Sequence, residues 1–163
     1  MKRLLIVWHS RTGAARSMAE AAARAAAAEA GVEVKMVAAE HASADDLLAA
    51  DGYLFAAPEN LAALSGAMKE FFDRTYYPAL ERLNGRPYAA LIAAGSDGTG
   101  AARQLARIAT GWRLKPIADP LIVCTQAQSP DAILAQKALS GDVLAPCAEL
   151  GAAMAAGLAM GVF

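Results

Sequence analysis

Near the start of the chain stand five residues, Leu4-Leu5-Ile6-Val7-Trp8, that are apolar at every position. A strand with one wet face alternates apolar and polar residues. A strand without alternation is covered on both faces, as in a parallel sheet sandwiched between helices. The run stops at Ser10-Arg11-Thr12-Gly13, and an alanine-rich helical pattern begins at once with Ala14, Ala15 and Arg16. Hydroxyls and free backbone N–H groups therefore gather at a helix N-terminus, where the unpaired donors and the positive end of the helix dipole favour a phosphate. An ordinary capped helix start uses the same residue types, so this turn alone leaves both readings open.

The remaining sequence alternates strand and helix. Ala14 to Ala30 reads as a helix closed by Gly31 at C′. Val32 to Val37 alternates apolar and charged residues and reads as a strand nearer the sheet edge. Ser43 is placed to cap a short helix, with Asp45 and Asp46 in its first turn and Leu47 and Leu48 on its inner face. Tyr53 to Ala57 reads as a third strand stopped by Pro58, and Ser65 as the cap of a long helix through Met68, Phe71, Phe72 and Tyr76. Pro87 to Ala94 reads as a fourth strand, Gly95 to Gly100 as a turn, Ala101 to about Trp112 as a helix, and Leu121 to Cys124 as a fifth strand. After Ser129-Pro130-Asp131 the pattern is helical with a break near Pro146. The expected fold is α/β: a doubly wound five-stranded parallel sheet with helices on both faces, one domain over residues 1–163.

Bulk properties narrow the function classes. A formal net charge of -1 gives no basic face for nucleic acid. Cys124 and Cys147 are far apart, and with His9 and His41 they offer no metal-ligand spacing. Buried thiols in a reducing, cytoplasmic compartment are the expected reading. The apolar run from Leu150 to Phe163 is shorter than the roughly 20 residues of a membrane span. It is expected to pack on its own sheet, and a contact with a second copy in a homo-oligomer is compatible with it.

In a doubly wound sheet, ligands bind beyond the carboxyl ends of the strands beside the switch point. Three turns fall there. The first offers the Ser10 and Thr12 hydroxyls, the Gly13, Ala14 and Ala15 amides, and the charge of Arg11 and Arg16. The second, Pro58-Glu59-Asn60-Leu61-Ala62-Ala63-Leu64-Ser65-Gly66, mixes polar and apolar groups that suit a flat heteroaromatic ring, with Leu61 on a ring face. The third, Gly95-Ser96-Asp97-Gly98-Thr99-Gly100, lets a planar ligand approach the backbone. Each has a bland alternative as a surface loop or glycine turn. No G-x-x-x-x-G-K-[ST] motif is present, and no G-x-G-x-x-G follows the first strand.

The segments His9 to Ala15, Pro58 to Asp73 and Gly95 to Gly100 resemble the flavodoxin-like FMN proteins, most closely the NAD(P)H:quinone oxidoreductase and NADPH-dependent FMN reductase branch. The resemblance implies a flavodoxin-like sheet of order 2-1-3-4-5, with strands numbered along the chain. It implies bound FMN, with Ser10, Thr12, Gly13, Ala14 and Ala15 at the phosphate, and Arg11 is left open between stabilising a reduced, anionic flavin, contacting the phosphate and standing on the surface. Pro58, Glu59, Asn60, Leu61 and Ala62 with Gly95, Ser96, Asp97 and Gly98 would then flank the isoalloxazine. It further implies NAD(P)H as co-substrate and a quinone or similar small electron acceptor, with the flavin carrying the chemistry and no side chain as acid or base. The chain departs from the family at Ala14 and Ala15, where such loops often carry Thr or Asn, and at Ala62-Ala63, where quinone reductases tend to have Gly-Asn. Its loop after the fifth strand, Gln126 to Ser129, is short and lacks His and Tyr. A flavodoxin-type electron carrier and a domain that no longer binds FMN are the alternatives.

Overall fold

The computed structural model describes residues 1–163. In chain order the elements are β1 (Lys2–Trp8), α1 (Ala14–Ala26), β2 (Val32–Ala38), α2 (Ala44–Ala49), β3 (Gly52–Asn60), β4 (Ala63–Leu64) and α3 (Gly66–Ala79). There follow β5 (Pro87–Ala94), α4 (Thr99–Gly111), β6 (Lys115–Pro116), β7 (Leu121–Cys124), α5 (Pro130–Leu134) and α6 (Gly141–Met160). The sheet runs β2-β1-β3-β5, all parallel, and the far edge of β5 is shared by β6 at Pro87 and Tyr88 and by β7 at Leu91 to Ala94. The expected fifth strand is thus present but preceded by a short first piece, Lys115–Pro116. β4 pairs antiparallel with the end of β3. These two short pieces enlarge the expected five strands without changing their order.

The double-sided burial of the strands divides their residues between two cores. On one face Leu5, Val7, Tyr53, Phe55, Tyr88 and Ile92 meet α3 and α4 through Met68, Phe71, Phe72, Leu105 and Trp112. On the other, Leu4, Ile6, Leu54, Ala56 and Leu91 meet α1 and α6 through Met18, Ala22, Met154 and Leu158. The aromatic rings crowd the first face, with Phe72 5.2 Å from Phe55 and 5.6 Å from Trp112. Small residues make the second face thin, so α6 lies close to α1: a Cβ at Gly151 would strike the backbone of Ala22.

Several boundaries differ from the sequence reading. α1 ends at Ala26, not Ala30, and Gly31, at φ 85°, turns the chain five residues beyond that helix. Pro58 lies inside β3. The Ala56 carbonyl accepts from His9 N–H on the β1 side, and residue 58 faces the same way, where β1 has already ended. The N–H that proline lacks therefore has no ladder partner to lose. The helical remainder breaks at residues 135–140, before the Ser140 cap, and Pro146 sits within α6. The carbonyl it leaves unpaired belongs to exposed Asp142, where water serves. α6 has 20 residues, with an 18-residue stretch of mean hydropathy 1.6, and is long and apolar enough to span a membrane by length and composition. Here it packs on the sheet through Cys147, Gly151, Met154, Ala155 and Leu158. Burial pushes the Cys147 thiol up to about 11, whereas Cys124, expected to be buried, is only half-buried.

Ser43 does cap α2. Its hydroxyl accepts from Asp46 N–H at 3.3 Å while the Asp46 carboxylate accepts from Ser43 N–H at 2.8 Å, a reciprocal capping box. Ser65, in contrast, does not cap α3 with its side chain. Its buried hydroxyl lies 2.7 Å from His9 Nδ1 and shares a hydrogen bond with it.

Candidate functional site

β1, β3 and β5 end side by side, and the turns leaving them surround one cleft. In the first turn the Ser10 hydroxyl accepts from Gly13 N–H at 3.0 Å, closing the loop, and Gly13 takes φ 97°. That conformation favours glycine, and a side chain there would also strike Gln136. Ser17 donates from both its N–H and its hydroxyl to the Gly13 carbonyl at 3.0 Å. The amides of Ala14 and Ala15, the first two of α1, have no acceptor within the protein, and both residues line the cleft. Arg11 stands on its rim. Arg16 turns away, to Glu20 at 2.8 Å and over the Trp8 ring, so its charge does not serve the turn.

The second turn is a hairpin. Asn60 pairs with Ala63, leaving a two-residue tip of Leu61 and Ala62 at φ 52° and 64°. Two left-handed residues make a primed turn, which matches the twist of the strands even without the usual Asn-Gly. The tip leans toward α4: the Ala62 carbonyl lies against Gly100, and Leu64 N–H donates to Gln104 Oε1 at 2.8 Å. Leu61 is fully exposed and covers nothing. The Glu59 carboxylate accepts from Gly98 N–H and Ala101 N–H, each at 3.0 Å, so it caps α4 and joins the second turn to the third.

In the third turn Asp97 accepts from the Thr99 hydroxyl at 2.6 Å and Thr99 N–H at 3.1 Å. These bonds hold its carboxyl below the usual aspartate value. His9, at the end of β1, is held below the ordinary histidine value by burial and, to a smaller extent, by Arg11, against the opposing pull of Glu40.

Of the residues singled out in the sequence, the cleft is lined by Ser10, Arg11, Thr12, Ala14, Ala15, Pro58, Glu59, Asn60 and Gly95. Gly13 shapes the turn from behind. Leu61, Ala62, Ser96, Asp97 and Gly98 lie outside the lining, because the hairpin and the third turn close on each other instead of over the cleft. The lining also includes Ala93, Ala94, Thr125, Ala127, Ile133 and Lys137, which the sequence reading passed over. Thr125 and Ala127 leave the carboxyl end of β7 and answer the same strand-end rule as the other turns. Thr125 N–H donates to the Ala94 carbonyl at 2.8 Å and Gln126 N–H to that of Gly95. Ile133 and Lys137 carried no local signal. The cleft is open to solvent and has a volume of about 80 Å³.

A family model for NADPH-dependent FMN reductase matches residues 38–128. The match contains the second and third turns, whereas the first lies outside it. Among relatives, a flavodoxin from Aquifex aeolicus is 32% identical over 61% of this chain and 54% of its own length. An NAD(P)H dehydrogenase (quinone) from Acidithiobacillus ferrooxidans is 33% identical over 46% of this chain and 48% of its own. The chain thus spans about half the length of these relatives. The crystal structure of oxidised Flavodoxin 1 from Bacillus cereus superposes with a TM-score of 0.78 at 16% identity, covering 96% of this chain and 99% of that one. The sheet order and the matched turns together place the chain in the flavodoxin-like FMN proteins, as a member of the NADPH-dependent FMN reductase family.

Proposed function

We propose that the chain is an FMN-dependent oxidoreductase that takes electrons from NAD(P)H and passes them to a quinone or similar small acceptor. The observation that carries this reading is the convergence of three strand-end turns on one cleft lined by Ala14 and Ala15, whose amides have no acceptor. The donors present fit a phosphate monoester: two amides at a helix start, the Thr12 hydroxyl, and no carboxylate free to oppose them, since Glu59 is engaged with α4. FMN, when bound, supplies the redox chemistry by accepting a hydride from the nicotinamide and yielding electrons to the acceptor.

The protein's share is binding and orientation. Ala14, Ala15 and Thr12 would hold the phosphate, while Pro58, Asn60, Gly95 and Ala127, which line the same cleft, would border the remainder of the cofactor. Gly95 keeps this border low, as a Cβ there would press on the Ala127 carbonyl at 3.3 Å. No side chain is assigned as acid or base.

The likeness to the Aquifex flavodoxin supports a second reading, an electron carrier without NAD(P)H oxidation of its own. A formal charge of -1 weighs against it, since carriers that meet protein partners use strong charge to steer encounter. The test is to load the purified protein with FMN, record the flavin spectrum, and follow NAD(P)H oxidation with a quinone. Flavin uptake with turnover supports the oxidoreductase, and uptake without turnover supports the carrier. No uptake in excess FMN removes both.

A further inference from the structure

Residues 130–137 pass across the start of α1 and bring a cation to the first turn. Lys137 N–H donates to the Thr12 carbonyl at 2.7 Å, and the Gln136 side chain lies on Gly13. The Lys137 ammonium then turns into the cleft. It donates to the Ile133 carbonyl at 2.9 Å and to that of Ala135, and its third hydrogen has only the Thr12 hydroxyl, 3.4 Å away. All three acceptors are neutral, and no carboxylate lies within ion-pair distance of Lys137. Its charge is therefore uncompensated beside two amides that have no acceptor. Arg16 is committed to Glu20, and Arg11 is exposed on the rim, which leaves Lys137 as the cation that the fold orders at the phosphate turn.

We propose that Lys137 is the phosphate-binding cation of this pocket, supplying the charge that Ala14 and Ala15, without side-chain donors, do not. The proposal rests on the reading that the cleft takes FMN. Its chemical signature is a preference for the phosphorylated flavin over riboflavin, because a charge-assisted contact is lost only where the anion exists.

The test measures binding of FMN, riboflavin and inorganic phosphate to the full chain and to Lys137→Met, with Lys137→Arg as the charge-preserving variant. The main-chain bond from residue 137 to Thr12 survives in both, so the segment keeps its anchor. Lys137→Met is expected to weaken FMN about tenfold, to weaken phosphate, to leave riboflavin unchanged, and to flatten the salt dependence of FMN binding. Lys137→Arg is expected to restore most of the loss. Equal or tighter FMN binding by Lys137→Met overturns the proposal. If the wild-type chain takes up phosphate in a Lys137-dependent way but no flavin, the cofactor reading fails and the cation site stands. If it takes up neither, both fail.

Discussion

Glu59 stands in the wall of the cleft, yet both of its oxygens accept hydrogens from the start of α4, at Gly98 and Ala101. It does for that helix what a capping side chain does from the N-cap, but from another element. Replacing it with alanine leaves two amides at a helix start without their acceptor, which costs about 1–2 kcal/mol. Glu59→Ala is therefore expected to lower the thermal midpoint by roughly 2–8 °C, and Glu59→Gln, which keeps one acceptor oxygen, by less. An unchanged midpoint by differential scanning calorimetry would contradict this account. The same residue marks what local pattern can reveal. Glu59 was legible as a polar group at a strand end, but not as a helix cap, since its partners lie 39 and 42 residues away. Ser65 carries the same lesson: a serine before a helix reads as its cap, while its hydroxyl is held by His9 from a different strand. Ser43 satisfies the pattern because its partner, Asp46, is three residues away.

At the scale of elements, strands and helices were readable because each is a run of uniform character and of the right length. Their ends were not, because the neighbours decide them. β3 runs through Pro58 only because β1 stops short of it, and α6 runs through Pro146 because the orphaned carbonyl faces water. The close approach of α6 to α1 was equally hidden, although the alanines and glycines that permit it are plain in the sequence. Gly151 is where the two backbones meet, and a methyl there would collide with Ala22 O, C and Cα. Backbone cannot swing aside as a flexible side chain does, so Gly151→Ala has to push the helices apart. The expected net loss is about 1–3 kcal/mol, despite alanine's better helix propensity. Gly141→Ala, in open space at the start of the same helix, is expected to raise stability slightly. Urea unfolding of the two variants separates the effects, and equal midpoints would mean that the helices yield without cost.

The whole molecule places its binding groups at one end of the sheet, a location that follows from strand order and hence from sequence. The strap of residues 130–137 does not follow from it, since its bond to Thr12 joins positions 125 residues apart. The His9–Ser65 contact ties the end of β1 to the start of α3 and is the titratable link among these elements. Burial holds His9 below the ordinary value of 6.5, so the folded chain binds its proton less readily than the unfolded chain does. The stability this represents is complete above about pH 6.5 and is lost as pH falls below that value toward the folded pKa. Asp46 and Asp51 behave as a later stage. Burial alone would raise both, but Lys35 and Ser43 hold Asp46 below 3.8, and Arg3 N–H with Lys2 does so for Asp51. Their contribution persists above about pH 3.8 and disappears as pH falls through their lowered values. Acid unfolding should thus begin with a histidine-dependent decline and steepen in the carboxylate range. His9→Asn, whose amide can stand in for Nδ1 without titrating, should flatten the first decline and leave the second. Urea midpoints from about pH 8 to about pH 3 decide the matter: the same slope in both proteins between about pH 7 and pH 5 would remove His9 from the account.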